Sequence, residues 1–192
     1  MKYKIITDVA TEPVTLAEAR LQCKVDSDNT AFDSLLTSLI TAAREYGEHF
    51  TGRGFAPQTL EVAIDEFPDD EDDSIELPLS PVASITHIKY TDVNGTEQTV
   101  SSGDYALSLY GDARSVAPTY AKYWSVAREI PDAVRIRYVT GYTTLPKAAK
   151  QALLIHIELE SAINPATPVQ RDAMEKARDN LLSTIKIYGR TE

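Results

Sequence analysis

The chain has 192 residues, of which 43% are hydrophobic and 25% charged, with a formal net charge of −10. This is the composition of an ordinary folded protein, and it excludes a mainly disordered chain and a fibrous repeat. The longest apolar run, Ala152 to Ile155, is four residues, against roughly 20 for a membrane-spanning helix.

The opening Met1-Lys-Tyr-Lys-Ile-Ile holds no apolar stretch long enough for a signal peptide. Cys23 stands alone, which excludes an internal disulfide and a cysteine-rich metal site and fits either cytosol-like conditions or a protein with no need of oxidation. The charge is unevenly placed. Residues 59–140 carry fifteen acids and six bases, a balance of −9, while 1–58 stand at −2 and 141–192 at +1. A field of that sign repels nucleic acid at long range, so sequence-specific DNA or RNA binding is not expected.

In chain order, residues 1–57 read as helical. Thr15 and Glu18 form a capping box for a short helix that ends near Cys23 to Val25. The polar turn 26–30 supplies Asp28 or Asn29 as the next cap. Phe32, Leu35, Leu36, Leu39, Ile40, Ala43, Tyr46 and Phe50 then recur at three- and four-residue steps, which predicts an amphipathic helix of about 20 residues, stopped by Gly52 and Gly54. Residues 58–142 change to period two. Leu60, Val62 and Ile64, then Tyr105, Leu107 and Leu109, then Val134, Ile136 and Tyr138 each alternate with their neighbours, as in strands buried on one face. Asn94-Gly95 marks a hairpin between 85–91 and 96–100. Residues 143–192 return to helix, with Pro146 as first helical residue, a break at 164–168, and a last helix from Val169 to Tyr188 stopped by Gly189. The expected class is α+β: a discontinuous helical bundle (1–57 and 143–192) with an inserted small antiparallel β domain (58–142). No helical part alone covers its own apolar stripe, so the first and last pairs are expected to pack on each other.

The candidate chemistry is sparse. Residues 65–76 hold eight carboxylates in twelve positions, with Asp69, Asp70, Glu71, Asp72 and Asp73 at the centre. Calcium would suit such oxygen density, yet the EF-hand spacing and its glycine are missing. The run reads as a solvated acidic surface, with a divalent-metal-binding module or a metal-dependent enzyme as the alternative. His49, His87 and His156 form no H-E-x-x-H and lie in no nucleophile elbow. Cys23 lies near the wrong end of its helix for a nucleophile and reads as a small buried residue. No phosphate-binding glycine pattern occurs, so no catalytic residue, cofactor or metal ligand is assigned. The tyrosines between Tyr105 and Tyr123, with Trp124, suit a core or a protein interface. A monomeric module recognising a peptide or sugar is a further reading of the strand block.

The segments Glu12-Pro-Val-Thr-Leu-Ala-Glu-Ala-Arg20, Val25-Asp26, Leu39-Ile-Thr-Ala-Ala-Arg-Glu-Tyr46 and Phe50-Thr-Gly-Arg53, with Ile75-Glu-Leu-Pro78, Pro81-Val82 and Ile130 to Tyr142, together resemble the head–tail connector (adaptor) proteins of tailed bacteriophages and prophages. The strand block is similar to that of longer members, which carry a β insertion between their second and third helices. The resemblance implies a non-enzymatic virion protein at the head–tail junction, assembled in the bacterial host cytoplasm. It implies a ring, a dodecamer in the virion and monomeric before assembly, bound beneath the portal protein. That ring would extend the DNA channel, let DNA pass non-specifically, and dock a stopper or tail-completion protein, with no membrane involved. Phe32, Leu36, Ala43 and Phe50 are the expected subunit interface, with Leu35, Leu39 and Tyr46 on the other stripe. Lys186, Tyr188 and Arg190 are the expected portal contact, because C-terminal segments fill that role in similar adaptors.

Overall fold

The computed structural model describes residues 2–69, 74–108 and 115–187. The chain divides into two compact units, residues 11–56 with 143–192 and residues 1–10 with 57–142.

The first unit contains α1 (Leu16–Gln22), α2 (Asp33–Thr51), α3 (Lys147–Ser161) and α4 (Pro168–Ser183). Thr15 and Glu18 make the expected capping box on α1. The α2 cap differs from expectation. Phe32 holds the N-cap position without a side-chain bond, because Asn29 spends its side chain one turn earlier, accepting from Ala31 N–H at 3.1 Å. At the far end Gly52 takes the left-handed conformation (φ 72°) and its N–H returns to the Glu48 carbonyl. The apolar stripes meet as predicted, with Leu36, Ile40 and Ala43 of α2 packing with Ala149, Ala152, Leu153, Ile157 and Leu182 from the last two helices. Gly47 permits the close approach, since a Cβ there would lie 2.4 Å from Phe55 Cε2.

Two helix boundaries also shift. Pro146 caps α3 from outside the helix. The last helix starts one residue early, on Pro168 with Thr167 and Gln170 as a second capping box, and ends at Ser183. It stops short of Tyr188 because the Thr184 hydroxyl donates back to the Leu181 carbonyl and the Ile187 N–H is taken by Thr51 O at 2.9 Å. Tyr188 and Gly189 lie outside the described residues.

The second unit contains β1 (Lys2–Thr7), β2 (Gln58–Ile64), β3 (Ile75–Glu76), β4 (Val82–Thr91), β5 (Glu97–Thr99), β6 (Tyr105–Leu107), β7 (Ser115–Pro118) and β8 (Val134–Thr140). They form a five-stranded sheet in the order β1-β2-β8-β4-β5 and a three-stranded sheet in the order β3-β7-β6, with every pairing antiparallel. Leu60, Val62, Ile88, Ile136 and Tyr138 of the larger sheet pack with Ile75 and Val116 of the smaller one. The expected hairpin is present between β4 and β5, where the Asp92 carboxylate accepts from the N–H groups of Asn94 and Thr96 and Gly95 takes φ 86°. Leu109 lies outside the described residues. The opening residues correct the sequence reading: Lys2–Thr7, assigned above to the helical part, are a strand paired with β2. Six residues with no cap and no clean alternation carry little local signal, and the free edge of β2 recruits them.

Candidate functional site

Within the helical unit, the expected interface stripe separates into two kinds of residue. Leu36 and Ala43 are 0% exposed and belong to the unit's own core, so they are not available to a neighbour. The physical reason is geometric: the stripe that three- and four-residue spacing reveals is the one a helix buries first. Phe32 and Phe50 are half-buried against that core, and Phe50 carries Lys186 Nζ over its ring at 4.6 Å. On the other stripe Leu35 remains 43% exposed, while Leu39 and Tyr46 are half-buried.

Tyr46 is the centre of a small stack. Its ring lies 4.5 Å from that of His156, and the Arg178 guanidinium sits 4.5 Å from its centroid. Arg178 also approaches His156 Nδ1 at 3.1 Å. Burial first, and the Arg178 charge second, hold the His156 pKa below its ordinary value, and the ring packs on Tyr46 beside the Arg178 guanidinium. Cys23 is buried beside the Ser161 hydroxyl, and burial pushes its thiol pKa up, the reverse of what an activated nucleophile needs.

Sequence reasoning missed the ion network of α2. Arg44 is 4% exposed and Glu48 7%. Arg44 donates to Glu12 at 3.0 Å and to Glu48 at 2.9 Å, and the second Glu48 oxygen accepts from Phe55 N–H at 2.7 Å. The Arg44–Glu48 spacing of four was the available signal. The network ties the segment before α1 and the turn after α2 to one helix.

Within the strand unit, Asp69 is exposed, and Asp70, Glu71, Asp72 and Asp73 lie outside the described residues. Among the described residues, no group of three or more His, Cys, Asp or Glu side chains is placed to hold a metal ion. The loop from 119 to 131 shows Tyr120, Tyr123 and Val126 to solvent at 100%, 82% and 75%. Trp124 is anchored beneath them, stacked on Phe67 at 4.9 Å. Anchored loops with exposed aromatics are a mark of protein interfaces. Lys186 is half-buried, and Tyr188 and Arg190 lie outside the described residues.

Residues 13–118 match the family described as phage gp6-like head-tail connector protein. The chain belongs to that family. No curated protein matches this connector in sequence. Among solved structures, a chain in the virion of a native gene transfer agent (GTA) particle has a TM-score of 0.75 at 22% identity, over 100% of this connector and 98% of that chain. A chain in the neck of an empty GTA particle, computed with C6 symmetry, has a TM-score of 0.72 at 20% identity over the same shares. The neck of the native particle, computed with C12 symmetry, contains one with a TM-score of 0.69, also at 20% identity over 100% and 98%. These likenesses establish the mixed helical and antiparallel fold, and the family is one of structural connectors.

Proposed function

We propose that this connector assembles as a ring of twelve at the head–tail junction of a phage-type particle, seated under the portal and extending the DNA channel. The reading is supported above all by the family match, joined to a fold shared end to end with a chain from a neck computed with C12 symmetry. The physics of the chain suits the role. A closed ring needs two different surfaces on one subunit, and the exposed aromatic loop of the strand unit is a candidate for one of them. A net charge of −10 leaves DNA without an attractive trap as it passes. The proposed portal contact is the C-terminal end, from Lys186 through Tyr188 and Arg190, and the opposite rim docks a stopper or tail-completion protein.

The test is incubation of the purified chain with portal-bearing heads that lack it, followed by sedimentation and electron microscopy of the vertex. Twelvefold density added at the portal is the expected result. Heads that emerge without the chain, from a preparation whose circular dichroism shows it folded, overturn the reading.

A further inference from the structure

Two rows of charge cross the outer face of the five-stranded sheet. In the first, Glu61 on β2 is held by Lys4 on β1 at 2.7 Å and by Arg137 on β8 at 2.6 Å. In the second, Glu97 on β5 is held by Lys89 on β4 at 2.6 Å and by Arg135 on β8. The register places Lys4 opposite Glu61, Glu61 opposite Arg137 and Arg137 opposite His87, with Lys89 opposite Arg135, so these groups share one face. Each row sets two cations on one carboxylate. Cations therefore outnumber carboxylates four to two across the rows, and four to three with Asp132 at the rim. Three of the six basic residues between 59 and 140 are gathered here, within a segment that carries fifteen acids. His87 senses the excess: burial first, then Arg137 and Lys89, lower its pKa against the opposing pull of Glu61 and Glu97. Beside the first row an open depression of about 220 Å³ is lined by Tyr3, Lys4, Glu61, Ala63, Asp132 and Arg135.

We propose that this face receives the acidic segment 65–76 of a neighbouring copy and forms a head-to-tail contact of the ring. The inference rests on the ring reading above. A cyclic assembly joins two unlike patches of the same chain, and this chain carries one of each sign. Its acidic segment has eight carboxylates in twelve residues, within a stretch from 54 to 88 that contains no lysine or arginine. Along the sequence, no cation lies next to this run of carboxylates. DNA is the weaker match. An excess of about one cation, once Asp132 is counted, releases few counterions from a phosphate backbone, and the field of the whole chain opposes approach. A neighbour held by the remaining ring contacts presents its segment at high effective concentration.

The experiment uses two full-length variants. Lys4→Glu with Lys89→Glu reverses the face while leaving Arg137 on Glu61 and Arg135 on Glu97. Asp69→Lys with Asp70→Lys and Glu71→Lys reverses the segment. Each variant, shown by its melting curve to be folded, is incubated with portal-bearing heads alone and as an equimolar mixture. Each alone should lose roughly tenfold or more in ring yield at low salt, because like charges then face each other. The mixture should restore it, since every reversed face then meets a reversed segment in an alternating ring. Either variant assembling at the wild-type level overturns the proposal. A mixture no better than its parts also overturns it and assigns the segment to its own chain. A face-reversed variant that loses retention of duplex DNA, with no rescue by mixing, overturns it in favour of DNA. Wild-type chain that forms no ring at all sinks the ring reading itself.

Discussion

Replacing Arg44 with methionine separates packing from charge at the most buried ionic site among the described residues of the helical unit. The side chain keeps its length and apolar stem, and only the guanidinium is lost. Glu12 is 27% exposed and can turn to water. Glu48, at 7%, cannot. Breaking a buried pair by removing one partner costs about 3–5 kcal/mol, so a melting point lowered by about 10 °C is expected. The pH dependence carries the diagnosis. Burial, the largest influence, already holds the Glu48 pKa above its ordinary value against the Phe55 N–H and Arg44, and losing Arg44 moves it higher. A carboxyl raised on folding stabilises fully below its unfolded pKa, and that contribution is lost as pH rises through the folded value. Relative to wild type, the Arg44→Met penalty should therefore shrink between pH 7 and pH 5, by at most about 1.4 kcal/mol per pH unit for one proton. The assay is urea unfolding followed by helical circular dichroism at both pH values. The double variant Arg44→Met/Glu48→Gln, which keeps an acceptor for Phe55, should recover more than half of the loss. A penalty under about 1 kcal/mol, or one that grows on acidification, refutes the reasoning.

Leu36→Ala should cost about 2–5 kcal/mol in the isolated chain, whereas Leu35→Ala should stay within about 0.5 kcal/mol; equal effects in chemical denaturation would place Leu36 at a surface after all. Gly47→Ala drives a methyl into the Phe55 ring and should cost about 1–3 kcal/mol, read from the same unfolding curves, with Gly47→Ala/Phe55→Leu recovering part of it. Arg178→Ala removes a cation that touches His156 and should raise the histidine pKa, followed by NMR of the ring protons; an unchanged or lower value contradicts the stack around Tyr46.

Elements that carry their own local instructions are legible along the chain. Thr15 with Glu18 starts a helix because both caps are within three residues, and Gly52 ends one because its missing side chain permits a left-handed turn. Period two in 60–64 and 134–138, and Asn94-Gly95 between strands, made the antiparallel sheet legible in the same way. The capping box at Thr167 is hidden in the sequence because Pro168, its first helical residue, also reads as a helix break.

Which surfaces stay free depends on long-range packing. The repeat of Leu36 and Ala43 announces an apolar stripe, but a stripe has the same spacing whether its own chain or a neighbour covers it; contacts from α3 and α4 settled that. The strand at Lys2–Thr7 exists because β2 offers an unpaired edge, a partner some fifty residues away in the chain. The charged face of the sheet is likewise invisible along the chain. Lys4, Glu61, Lys89, Glu97, Arg135 and Arg137 come from five strands, and pairing register alone brings them into two rows. Local signals set elements because their partners lie within a few residues. Surfaces are set by partners far along the chain, and no window of sequence contains both.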